Sequence, residues 1–126
     1  MSKHVAIWID HKEARILRVD AHPVDEVTVE PVHQLHNKHP KGSEGVKEHP
    51  DDAKRFFHEV ARSLEGAEEI LVVGPSTAKL EFLRYVHKHD PTLEPRIVGI
   101  ETVDHPTDGQ VAAYARQYFK RRDRAL

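Results

Sequence analysis

The sequence predicts an α/β domain with one five-stranded mixed sheet, its elements in the order βββ-α-β-α-β-α. Three observations carry this. Three strand-like stretches follow one another with short connections over residues 4–32. Two apolar strand-like runs come later, each preceded by a segment of helical period. A third helical segment closes the chain.

The first strand is "HVAIWID", residues 4–10, nearly all apolar, as a central strand buried on both faces requires. "EARILRVD", 13–20, follows after a tight turn. "EVTVEPV", 26–32, alternates, with Val27 and Val29 on one side and Thr28 and Glu30 on the other, and Pro31 marks its end or an edge. Short connections make these three an antiparallel meander. Residues 33–50, "HQLHNKHPKGSEGVKEHP", are polar and rich in glycine and proline and read as a long loop.

"DDAKRFFHEVARSLEGA", 51–67, has an apolar stripe of Phe56, Phe57, Val60, Ala61 and Leu64, with Gly66 placed to end the helix. "EILVVG", 69–74, is a buried strand. In the helix "STAKLEFLRYVHKH", 76–89, Leu80, Leu83 and Val86 are expected inward. "PRIVGIETVD", 95–104, is the fifth strand. The last helix, 107–122, is expected to bury Val111, Tyr114, Ala115 and Tyr118. Each of the last two strands follows a helix, so right-handed crossovers make them parallel, with helices on both faces of the sheet.

The chain has 126 residues, no cysteine and a formal net charge of −2. That length suits one domain over 1–126. The charge excludes a general polyanion binder and leaves only local basic patches. Without cysteine there is no disulfide, thiolate metal site or thiol nucleophile. The opening "MSKHVAIWIDHKEARIL" does not have the pattern of a signal peptide, and no run is long enough to span a bilayer. A cytoplasmic protein without a membrane partner is expected.

Thr107-Asp108-Gly109-Gln110 contains DGQ, one letter from the GGQ of release factors. The same residues have capping-box spacing at a helix start, with Asp108 placed to complement the helix dipole. That structural role accounts for each of them.

The chain also resembles a family. "AIWIDHKEARILRV" as an opening hairpin, "EEILVVGPSTAKLEFLRYV" as strand, turn and helix, and the closing "VDHPTDGQVAAYA" are similar to the central domain of archaeal and eukaryotic peptide-chain release factors and Pelota-type rescue factors. Small bacterial release-factor-like proteins described as translational machinery are similar too. The resemblance implies an RNase H-like three-layer fold. It also implies that GGQ would lie on the loop between the third strand and the first helix. Here that loop holds Gly42 and Gly45 but no GGQ. A non-catalytic RNA- or ribosome-associated role is what the resemblance implies, with the ribosome or structured RNA as partner and no cofactor.

The candidate contact residues for that role are His36, Lys38, His39, Lys41, Gly42 and Lys47 in the loop, with Arg121 and Arg122 in the basic tail. The loop histidines His33, His36, His39 and His49 are otherwise solvated side chains, zinc ligands, or a pH-responsive cationic patch. Tail arginines also serve simply to complement a helix dipole. In the turn "GPSTAK", Ser76 or Thr77 would cap the helix, and Gly74, Ser76, Thr77 and Lys79 form an alternative anion cradle.

The first and fifth strands end in Asp10-His11 and Asp104-His105, ligand-type pairs expected on one rim of the sheet. Turn and cap chemistry explains them, and a metal-assisted hydrolase is the alternative. A nuclease of this fold needs a carboxylate on the strand beside the first, and the fourth strand ends in Val73-Gly74. A third reading is a small homo-oligomeric interaction module.

Overall fold

The computed structural model describes residues 3–31 and 50–125. The elements are β1 (His4–Ile9), β2 (Ala14–Arg18), β3 (Asp25–Val29), α1 (Pro50–Ser63), β4 (Glu69–Gly74), α2 (Ala78–His89), β5 (Ile97–Thr102) and α3 (Asp108–Ala125). Their order is the expected one. The single sheet runs β3-β2-β1-β4-β5. β1–β2 and β2–β3 pair antiparallel, and β1–β4 and β4–β5 pair parallel.

Strand periodicity divides the core into two layers. Val5, Ile7 and Ile9 of β1, with Ile70 and Val72 of β4, meet α1 and α2 through Phe56, Phe57, Val60, Leu64, Phe82 and Val86. The alternate residues Ala6, Trp8, Leu71 and Val73 meet α3 through Val111, Ala112, Ala115 and Phe119. Both faces of β1 and β4 are covered, so both strands read as continuous apolar runs. This is the three-layer arrangement that the RNase H-like resemblance implies. Gly66 adopts φ 88° just beyond α1, the left-handed conformation that suits glycine after a helix.

Two helix faces differ from expectation. α2 buries Ala78, Phe82 and Val86, whereas Leu80 is 49% exposed and Leu83 is half-buried. Steps of four residues from Ala78 bring the large Phe82 onto the sheet, and Leu80 lies about half a turn away. α3 buries Val111, Ala112, Ala115 and Phe119; Tyr114 is 37% exposed and Tyr118 half-buried. The tyrosines lie toward β5, the edge strand, which carries Gly99 on that face. A Cβ at Gly99 would come within 2.1 Å of the Tyr118 hydroxyl. The missing side chain lets Tyr118 cross the strand and donate to the Val98 carbonyl at 3.2 Å.

β3 is also shorter than 26–32, and Val27 is exposed on this strand, whose only strand neighbour among the described residues is β2.

Candidate functional site

The parallel strands β1, β4 and β5 end on one rim, where α2 and α3 begin. Backbone contacts hold this rim closely. A Cβ on Gly74 would lie 2.2 Å from the Ile9 carbonyl oxygen, so only glycine fits where β4 closes on β1. The Gly74 carbonyl in turn accepts the Val103 N–H at 3.1 Å.

Asp10 is a turn residue. Its Oδ1 accepts the Lys12 and Glu13 amides at 2.8 and 2.9 Å, closing the β1–β2 hairpin. His11 Nε2 bonds Glu81 Oε2 at 3.1 Å. Asp104 is almost fully exposed and pairs with the neighbouring His105 ring at 3.0 Å. Both dipeptides do sit on the same rim. Among the described residues, however, the ligand-type side chains that converge are His4, Glu69 and Asp123, at the opposite rim.

Trp8 and Arg15 organise this rim, and sequence reasoning did not single them out. They are cross-strand partners in the hairpin. The Arg15 guanidinium lies 4.4 Å from the Trp8 ring centroid, within cation–π range. Trp8 Nε1 donates to the Asp104 carbonyl at 2.9 Å, and His105 tilts against the indole at 5.3 Å. Arg15 Nη1 donates to Asp108 Oδ1 at 2.6 Å, tying β2 to the first turn of α3. The only available signal was hairpin register, which aligns position 8 with position 15 once the turn is located.

Glu26 completes this cluster. Hydrogen bonding with Asp108 pushes the Glu26 carboxyl up, and partial burial and the Asp108 charge add to that. The same bond holds Asp108 down; burial opposes it and Arg15 reinforces it. As pH falls, Glu26 therefore takes up a proton before Asp108, which keeps its charge beside Arg15 to lower pH.

The capping box forms as expected. Thr107 N–H donates to Gln110 Oε1 at 2.9 Å, and Gln110 N–H to Thr107 Oγ1 at 3.1 Å. Beside it opens a cleft of about 500 Å³. Leu71 and Val73 form its apolar side, and Asp104, His105, Gln110 and Tyr114 supply polar groups.

A second cleft, of about 420 Å³, shares Tyr114 and is lined by Glu101, Tyr118, Arg121 and Arg122. Arg121 is exposed. Arg122 Nε is buried and has no hydrogen-bond partner among the described residues. Tyr114 donates to Glu101 at 2.9 Å, and partial burial followed by that carboxylate raises its phenol pKa.

At the turn after β4, Thr77 is the N-cap of α2 but makes no side-chain cap. This corrects the expected capping role. Its backbone is helical, and its hydroxyl donates instead to Glu81 Oε2 at 3.1 Å. Lys79 is only 6% exposed, and its Nζ donates to the Ser76 carbonyl at 2.7 Å. Gly74, Ser76, Thr77 and Lys79 are thus brought together on one turn, with Glu81 beside them. His33, His36, Lys38, His39, Lys41, Gly42, Lys47 and His49 lie outside the described residues.

No protein-family model and no curated protein matches the chain. Solved structures do. Archaeoglobus fulgidus Pelota aligns over 95% of this chain and 31% of its own, with a TM-score of 0.58 and 21% identity. The archaeal translation termination factor aRF1 aligns over 89% and 32%, with a TM-score of 0.56 and 16% identity. Dom34 from S. cerevisiae, a translation termination-like factor, aligns over 79% and 29%, with a TM-score of 0.52 and 9% identity. The likeness is one of fold, and the chain spans about a third of the length of these proteins.

Proposed function

We propose that this protein is a non-catalytic RNA- or ribosome-associated factor, related to translation release and rescue factors and working in the cytoplasm. The observation that carries the reading is the shared fold with Pelota across nearly the whole chain. Dom34, with the same fold, is a translation termination-like factor involved in RNA quality control. Among the described residues, no helix is long and apolar enough to cross a membrane.

Three features support a binding role. The sequence contains no GGQ, and its one Gly-Gln pair holds a helix N-terminus through Gln110. Lys38, Lys41 and Lys47 outnumber Glu44 and Glu48 in the stretch before α1, beside His36, His39 and Gly42. Arg121 and Arg122 add cations at the second cleft. Lys and Arg on phosphates supply affinity without base specificity, as a factor that grips structured RNA requires.

Co-sedimentation with ribosomes and subunits, from low to physiological salt at pH 6 and 7.5, tests this. Saturable binding at physiological salt, weakened by Lys38/Lys41/Lys47→Ala, is expected. No binding at either pH overturns it.

A further inference from the structure

The rim opposite the candidate site carries a separate constellation. His4 opens β1 and Glu69 opens β4, and the parallel register sets them side by side. Both belong to the alternation of Ala6, Trp8, Leu71 and Val73, the residues that face α3. Asp123 stands one turn beyond Phe119 on α3, and Phe119 is buried in that same layer. Two strands and one helix thus deliver a nitrogen ligand and two carboxylates to one place.

We propose that His4, Glu69 and Asp123 form a binding site for a divalent transition metal ion, of the zinc type, that fastens the end of α3 to the sheet. His4 Nε2 lies 3.1 Å from Glu69 Oε1 and 3.6 Å from Asp123 Oδ2. Ligand atoms of the three all fall within 4.8 Å of one another. With metal–ligand bonds of about 2.1 Å, tetrahedral geometry separates neighbouring ligand atoms by about 3.4 Å. The two spacings from His4 Nε2 bracket that value.

Both carboxylates approach the same ring nitrogen. One N–H satisfies Glu69, and at 3.6 Å the Asp123 contact is too long for a second hydrogen bond. A dication on that nitrogen serves both carboxylates at once. The ring is already oriented, because His4 stacks on Phe119 at 4.3 Å with planes 17° apart. His4 and Glu69 side chains are each less than one-fifth exposed, and Asp123 is 41% exposed, leaving one side open to entry. An adjoining cleft of about 260 Å³, also lined by Asp20, His22, Arg116 and Lys120, gives room for a water ligand. One imidazole with two carboxylates suits zinc and its neighbours, whereas magnesium and calcium favour oxygen-only sets.

The test is titration of zinc ion alone into the chelator-treated, tag-free full chain by calorimetry, with melting temperature as a second readout. One equivalent should bind and raise the melting temperature. Glu69→Gln and Asp123→Asn keep side-chain size and sit at partly exposed positions. Each should weaken binding by more than the roughly 10-fold that loss of an outer-shell partner costs. His33→Ala/His36→Ala/His39→Ala/His49→Ala should leave it unchanged. Absence of saturable binding overturns the proposal, leaving a histidine–carboxylate hydrogen bond. Binding that survives both carboxylate variants, or that is lost in the loop variant, overturns it equally.

Discussion

Thr107 and Gln110 hold each other's backbone amides at the start of α3, at 2.9 and 3.1 Å. The glutamine of DGQ therefore closes a helix end. Thr107→Ala should cost about 1 kcal/mol in urea unfolding, as loss of an N-cap does. A double-mutant cycle with Gln110→Ala should show coupling, because the two bonds form one box. Ribosome co-sedimentation should be unchanged in both single variants.

Two glycines should differ in their response to alanine. At Gly74 the new methyl would meet the Ile9 carbonyl, which is backbone in the central pair of strands. Gly74→Ala should cost about 3 kcal/mol, the upper end of ordinary overpacking. At Gly99 it would meet the tip of Tyr118, which can swing away and lose its bond to Val98. Gly99→Ala should cost about 1 kcal/mol. Equal losses in chemical denaturation would contradict this contrast.

The face of α2 is open to a direct check. Phe82→Ala should destabilise by about 3–5 kcal/mol, because the ring is fully buried between the sheet and Phe57. Leu80→Ala should change stability by no more than about 0.5 kcal/mol. The reverse ranking would restore the face expected from the sequence alone.

Acid should weaken the start of β1. Burial pushes the Asp20 carboxyl up, but the Lys3 and His4 amides it accepts outweigh that and hold it below its ordinary value of 3.8. A depressed folded-state pKa means that the unfolded chain binds the proton more readily. The contribution is therefore fully present above the ordinary value and is lost as pH falls through the folded one. Asp20→Asn should flatten the acid limb of stability against pH between those two values. Glu26 has the opposite sign: its raised pKa makes stability fall as pH rises through the interval above 4.5.

Arg121→Ala/Arg122→Ala should weaken RNA or ribosome binding and lower the slope of log affinity against log salt by up to about 2. An unchanged slope would place the contact elsewhere. Thermal unfolding run alongside separates loss of contact from loss of fold, because Arg122 is partly buried.

The element order and the parallel pairing of β4 and β5 were legible because they depend on local periodicity and on the handedness of crossovers. The capping box was legible for the same reason: its partners are three residues apart. The rows of α2 and α3 that face the sheet were legible only in part: Val86, Val111 and Ala115 are inward as expected, whereas Phe82 and Phe119 are buried in place of Leu80 and Tyr114, because both rows carry apolar residues and the sheet beneath chooses between them. Trp8 against Arg15 and His4 against Asp123 join residues on different elements. Those meetings depend on strand register and helix placement, and therefore only the tertiary structure decided them.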